Sequence, residues 1–274
     1  MEPNKEMIRE VLRRASEPYY QHSPYFNRSD NLPSWQWRFL LAASSYKGRV
    51  AMGANRIGKS EQGAYEAALA VTGQHPLREF PPNGIGWIIG LDNPMIRDID
   101  RPIFEKFLPS RFKTKFYKQD NLWHCKGDNR EWKIVFKSTE KGPDKFQGAQ
   151  IDFAWYDEEP KKTEIFNEVE TRLIDRSGVW WLTATPVRGT KWLKDLSERP
   201  DVYSTFAGMR DNPYLPIDEV EALAKRLPDD ERMVRIEGAY IIFGGRPVFD
   251  RGMLMELMEK AKVYKSDAGI LKVA

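Results

Sequence analysis

The sequence predicts an α/β fold, a mostly parallel sheet with helices on both faces, and three features predict it. Short apolar runs at 49–53, 85–90, 132–136, 151–156, 179–183 and 202–207 alternate with segments of helix length. Several of these runs are continuously apolar, which suits strands covered on both faces. A glycine-containing octapeptide, Gly53-Ala54-Asn55-Arg56-Ile57-Gly58-Lys59-Ser60, joins the first run to an alanine-rich helical segment at 61–71. Strands interleaved with helices in this way imply right-handed crossovers.

Taken in order, residues 4–16 place Met7, Ile8, Val11 and Leu12 at helical spacing, so a short amphipathic helix is expected there. Pro18, Pro24 and Pro33 then mark an irregular segment before a second helix-like run at 35–43. The strand-and-helix alternation occupies the middle of the chain. After Asp211-Asn212-Pro213 the character changes: 216–238 reads as charged helix, and Gly244-Gly245 with Pro247 reads as a linker. Four divisions follow: an N-terminal helical segment (1–45), a core (46–210), a small helical subdomain (211–246) and a linker (247–274), the last too short to be a domain. No repeat or low-complexity tract is present.

Composition excludes several classes. A single cysteine, Cys125, permits neither an internal disulfide nor a thiolate metal cage, and His22, His75 and His124 are too far apart to suggest a shared zinc site. No apolar run reaches the roughly 18 residues of a membrane span, and the first 20 residues lack the apolar centre of a secretory signal. The expectation is a soluble globular protein of a reducing compartment. Net charge is +3, close to balance, yet residues 101–150 carry 12 Lys/Arg against 6 Asp/Glu. Within that stretch Arg111, Lys113, Lys115 and Lys118 alternate with Phe112, Phe116 and Tyr117. Two readings stand: a solvated strand or loop face, or a surface for a phosphate backbone.

The octapeptide at 53–60 is G-x-x-x-x-G-K-S, the Walker A pattern, in its expected setting of strand before and helix after. Gly53 and Gly58 allow a tight turn, and the backbone N–H groups of Ala54, Asn55, Arg56, Ile57 and their neighbours can then cradle phosphates. Lys59 supplies a point charge for the terminal phosphates, and the Ser60 hydroxyl is a ligand for Mg²⁺. The helix N-terminus aims at the same anion. The matching acids stand at the end of 151–156, where open α/β sheets bind their ligands. Asp157 is the candidate magnesium residue, and Glu158 the candidate base for the attacking water. The rival reading makes Glu158-Glu159 an acidic helix start. Glu159 is read as a solvated or structural neighbour and Asp152 as a strand-edge acid. Thr183-Ala184-Thr185-Pro186 ends the 179–183 run, either as a sensor of the terminal phosphate or as an ordinary strand exit. Gln36 is either an adenine-reading amide or an exposed helix glutamine, and Arg56 reaches the transferring phosphate or pairs with an acid of the sheet.

Together these motifs resemble the large terminase subunits of tailed phages. Gly-Ala-Asn-Arg-Ile-Gly-Lys-Ser at 53–60 looks like their G-x-N-R-x-G-K-[ST] loop. Phe146-Gln147-Gly148 with 151–160 looks like their acidic stretch, and Thr183-Ala184-Thr185-Pro186 like their coupling motif. Asp211-Asn212-Pro213-Tyr214-Leu215 and Arg235-Ile236-Glu237-Gly238 resemble later landmarks. The resemblance covers about 33–250, and the order and spacing of the motifs carry it.

The resemblance implies a RecA-like P-loop ATPase core with a small lid subdomain, driving double-stranded DNA into a procapsid. ATP and Mg²⁺ are the implied ligands. Gly58, Lys59, Ser60, Asp157 and Glu158 are its implied binding and hydrolytic residues, Arg56 the in-loop arginine, Gln36 the adenine-side glutamine, and Thr183 to Thr185 the coupling residues. Implied partners are the portal protein, a small terminase subunit and further copies of the chain in a homo-oligomeric ring, in the host cytoplasm and with no membrane. A ring motor uses a neighbour's arginine, for which Arg97, Arg101, Arg172 and Arg176 are candidates. The family's nuclease domain needs about 100–150 residues, and 24 follow Asp250, so a motor without its nuclease is expected. A helicase-like DNA remodeller shares the same motifs but requires a second RecA-like domain. A nucleotide-binding protein without turnover would not need Lys59, Asp157 and Glu158 together.

Overall fold

The computed structural model describes residues 35–239, 263–265 and 271–273. The amphipathic helix expected at 4–16, the proline-marked segment through Pro33 and the linker signals at Gly244, Gly245 and Pro247 lie outside them. The chain divides into two units, at Ile241/Ile242. In the second, Val263–Lys265 pairs antiparallel with Leu271–Val273, strands the linker reading did not anticipate.

In chain order the first unit contains α1 (Trp35–Leu41), β1 (Gly48–Gly53), α2 (Lys59–Thr72), β2 (Asn83–Gly90), α3 (Arg101–Phe107), β3 (Lys113–Tyr117), β4 (Leu122–Gly127), β5 (Arg130–Ser138), β6 (Phe153–Asp157), α4 (Thr163–Ile174), β7 (Val179–Ala184), α5 (Lys191–Ser197), β8 (Val202–Ala207), α6 (Ile217–Arg226) and α7 (Asp229–Arg235). The eight strands form one sheet in the order β3-β4-β5-β2-β6-β7-β1-β8. From β5 to β8 all neighbours are parallel, while β4 and β3 extend the sheet antiparallel. This is the RecA-like α/β core the motifs imply.

Each of the six apolar runs is a strand. The expected helix at 35–43 is α-helical only to Leu41 and finishes as a 3₁₀ turn, Ala42–Ser44. The single helical run at 216–238 is two helices, because Pro228 cannot continue α6 and instead caps α7. Besides β5, the basic stretch holds two strands: the alternation at 113–117 is the outer edge β3, and β4 beside it went unread because Leu122–Gly127 mixes Trp, His, Cys and Lys without a clean period.

Parity along the central strands explains the continuous apolar runs. Ala51, Phe153, Trp155, Val179 and Trp181 face α1, α2 and α3 in one core. Val50, Met52, Ala154, Tyr156, Trp180 and Leu182 face α4 and α5 in the other. A strand buried on both faces needs apolar side chains at consecutive positions.

Within β1 a charged residue breaks that rule. Arg49 is fully buried in β1, its guanidinium 5.0 Å from the Phe39 ring centre and 5.8 Å from that of Trp181. It donates to the Phe39 carbonyl at 3.2 Å and to Glu66 of α2, which His75 also contacts at 3.3 Å. Burial would raise the Glu66 carboxyl, but Arg49 and His75 overcome it and hold the group below its ordinary range. The pair fixes the phosphate-loop helix to the strand that feeds the loop. Removing one partner strands a buried charge, so Glu66→Ala should cost about 3–5 kcal/mol in urea denaturation. Asp98→Ala, which breaks an exposed pair with Arg97, should cost less than about 1 kcal/mol.

Candidate active site

Four strand ends meet in register at the carboxyl edge of the sheet. Gly90 of β2 pairs with Asp157 of β6, Asp157 with Thr183 of β7, and Thr183 with Ala51 of β1. Two residues past Ala51, β1 ends at Gly53 and the phosphate loop begins.

The loop turns through two left-handed residues, Arg56 at φ +63° and Gly58 at φ +84°. Gly58 adopts this backbone without strain, and a Cβ there would stand 3.0 Å from the Gln36 side-chain nitrogen. Gln36, on α1, is therefore buried against the loop and is no exposed helix glutamine. From Gly58 the chain enters α2, 14 residues long, whose first backbone N–H groups face the loop's concavity. Lys59 folds over the same loop and donates to the Gly53 carbonyl at 3.2 Å and the Ala54 carbonyl at 2.6 Å. Burial pulls its pKa down, against the opposing pull of Glu158 and Asp157.

Ser60 donates to Asp157 Oδ1 at 3.0 Å, and Thr183 donates to the same oxygen at 2.7 Å. Thr183 in turn accepts from the Trp155 indole at 2.9 Å. Asp157 is almost wholly buried, and burial raises its carboxyl despite the Ser60 and Thr183 hydrogen bonds. No backbone or hydroxyl donor reaches its second oxygen, Oδ2, and the carboxyl's further neighbour is another acid, Asp100. A buried carboxylate oxygen without a donor asks for a proton or a cation. The donor set of hydroxyl and carboxylate is that of a hard divalent ion, and among the described residues no cluster of three or more His, Cys, Asp or Glu offers a rival metal site. These residues fit Mg²⁺.

Glu158 starts no helix. It sits just past β6 at φ +72°, a costly backbone for a residue with a Cβ, and its N–H donates to the Thr183 carbonyl at 2.7 Å. Its carboxylate accepts from the Thr185 backbone N–H at 3.0 Å. The Thr185 hydroxyl lies 3.4 Å from Glu158 and 3.1 Å from the Asn55 amide oxygen, so one side chain spans the acid and the phosphate loop. Burial first, then the charge of Asp157, pushes the Glu158 pKa up to about 7.

The remaining acids and arginines have other tasks. Glu159 is buried and accepts from Thr190, the residue that caps α5, so it is structural and unsolvated. Asp152 accepts from the Ile85 N–H at 2.8 Å and pairs with Arg176 at 3.2 Å. Arg97, Arg101 and Arg172 each pair with an acid of the same chain, respectively Asp98, Glu105 and Glu168. Arg56 is exposed, and its carbonyl accepts from Asn212 at 2.6 Å. The Arg235 carbonyl accepts from the Asn55 N–H at 3.3 Å, so a residue before α6 and the last residue of α7 both touch the phosphate loop. Ala184 ends β7 beside Met52.

One acid at this edge went unread. Asp100 is fully buried over Gly90, close enough to Asp157 for the two carboxyls to perturb each other. A signal existed: Asp100 falls at i+4 from Ile96 and i−4 from Phe104, an acid inside an apolar helical stripe.

Residues 50–246 match a family model described as the N-terminal part of the terminase large subunit, T4likevirus type. The large terminase subunit of Salmonella phage P22 is 28% identical over 271 aligned residues, covering 83% of this chain and 52% of that protein. The chain thus spans about half the length of this curated relative. The Thermus phage P74-26 large terminase ATPase domain superposes with a TM-score of 0.62 at 20% identity, covering 88% of this chain and 100% of that one. The large terminase of a thermophilic bacteriophage, solved in complex with ADP, gives 0.63 at 17% identity over 76% of this chain and 53% of its own.

Thr183→Val keeps the shape of the side chain and deletes the hydroxyl that serves Trp155 and Asp157. With a buried indole N–H and a carboxylate oxygen each losing a partner, unfolding free energy should fall by about 1–3 kcal/mol in denaturant titration.

Proposed function

The chain belongs to the terminase large-subunit family, and from that premise we propose that it is an ATP-hydrolysing motor that drives double-stranded DNA into a procapsid. One observation carries the reading: Glu158, held by the Thr185 N–H, stands beside the Ser60–Asp157 pair and within the field of Lys59. This arrangement supplies a base, a metal site and a phosphate anchor at one sheet edge.

The residues divide the work. The loop backbone from Gly53 to Ser60 and the start of α2 take the phosphates, and Lys59 exchanges the Gly53 and Ala54 carbonyls for phosphate oxygens. Gln36, seated against Gly58, orients the adenine side. Ser60 and Asp157 would hold Mg²⁺, which when bound would neutralise charge on the phosphates. Glu158 orients a water and takes its proton as that water's oxygen attacks the terminal phosphorus, while the bond from that phosphorus to the bridging oxygen breaks and ADP leaves. Arg56, exposed on the loop, is placed to meet the transferring group. Thr183 touches the Asp157 carboxylate, and Thr185 touches both Glu158 and Asn55. A change at the phosphates is thereby felt at the end of β7 and, through Asn212 and Arg235, in α6 and α7, which we assign to the lid.

The remaining assignments follow the family. Double-stranded DNA, the portal protein and a small terminase subunit are the partners, and copies of the chain assemble as a ring in the host cytoplasm. Among the described residues no helix is long and apolar enough to cross a membrane. Lys113, Lys115 and Lys118 are exposed on and just after β3, the strand at one edge of the sheet, and we assign them to DNA contact.

Glu158→Gln should bind ATP within about threefold of the parent while turnover falls by about 10²–10⁴. Undiminished turnover would remove Glu158 from the mechanism. Because the active base is the deprotonated form and its pKa lies near 7, kcat/KM should climb with pH through about 7 and level off above it. For DNA, neutralising Lys113, Lys115 and Lys118 together should reduce the slope of log affinity against log salt by about 1–3 units. Identical slopes would place the DNA track elsewhere.

A further inference from the structure

Gly90 and Asp157 end neighbouring strands in register, and what covers Gly90 is unusual. After β2, Asp92 caps a single helical turn, Asn93–Met95, which runs into a π-helical turn, Ile96–Asp100, before α3. Such turns insert an extra residue per turn and often mark functional sites. This one leaves Asp98 exposed and Asp100 completely buried. A Cβ at position 90 would stand 2.2 Å from Asp100 Oδ2, so only a glycine leaves room for the carboxyl there.

No backbone or hydroxyl donor reaches either Asp100 oxygen or Asp157 Oδ2, and the two carboxyls meet only each other, across a shared proton. Two adjoining buried carboxyls with no donor but each other are costly, and an apolar residue in the stripe of Ile96 and Phe104 would pack without that cost. The cost is answered if the place is built for a cation. A hydrated magnesium ion is held by one or two carboxylates together with phosphates.

We propose that Asp100 belongs to the magnesium site, forming with Asp157 a two-carboxylate wall for the hydrated divalent cation beside the phosphate loop. This rests on the assignment of Ser60 and Asp157 above. It makes the π-turn part of the metal site, and Gly90 the residue that admits the second carboxylate.

The test uses the full chain and Mn²⁺ as a spectroscopic probe. Mn²⁺ affinity is titrated by electron paramagnetic resonance with ATPγS present, and ATPγS affinity is measured separately in EDTA. Asp100→Asn is near-isosteric. Asp100→Ser is smaller than the residue it replaces and adds no bulk over Gly90, which provides a second folded variant. Both should weaken Mn²⁺ binding at least tenfold while metal-free nucleotide affinity moves less than threefold. Asp98→Asn removes a nearby exposed charge and should change Mn²⁺ affinity less than twofold. Mn²⁺ affinity equal to the parent's in either folded Asp100 variant overturns the proposal, as does an equal loss in Asp98→Asn. A parent chain that binds no Mn²⁺ with nucleotide overturns the Ser60–Asp157 assignment itself.

Discussion

The hydrogen bond from Thr183 to Asp157 is the constraint on which the site depends. It sits in the dry row where β2, β6, β7 and β1 end together, and Asp157 accepts there from Ser60 as well. Three elements with no sequence proximity, α2, β6 and β7, are thereby held to one carboxylate. Burial on both faces of the sheet keeps water out of this row and makes each polar contact in it strong. The same dryness makes any unpaired atom expensive, so the loop, the acids and the threonines are tied to one another.

The charges in this row are unbalanced. Asp157, Glu158 and Asp100 converge on a region where Lys59 is the nearest opposing charge acting on Asp157 and Glu158, and burial raises all three acids. A fold selected only for stability would not collect acids in its driest corner. Binding sites do so because a cation or a charged substrate restores the balance, and perturbed ionisable groups cluster where chemistry is done. The Glu158 backbone, held at φ +72°, is a second cost accepted at the same place. Arg49 and Glu66 illustrate the contrast: a buried charge with its partner in contact, in a structural role away from the loop.

Much of this was legible from residue order. The six apolar runs announced the parallel sheet because strands covered on both faces cannot alternate. The octapeptide at 53–60 announced the phosphate loop because few chemistries require Gly, Lys and Ser at that spacing after a strand. The acids at 157 and 158 were placed by the strand that carries them. What stayed hidden depends on three-dimensional neighbours. Asp100 is separated from Asp157 by 57 positions, and only the pairing of β2 with β6 brings them together. Strand β4 has no period to read, since its residues line an edge extension partly open to solvent. Glu159 looked solvated beside two functional acids, and only the fold of the 185–190 loop buries it against Thr190.

The most direct test of the account is steady-state ATP hydrolysis by the purified chain, with and without Mg²⁺ and long double-stranded DNA, over a range of protein concentrations. The account predicts Mg²⁺-dependent turnover that rises more steeply than protein concentration as copies assemble around DNA. Stoichiometric ATP binding without turnover under all these conditions would contradict it and leave a nucleotide-binding protein in place of a motor.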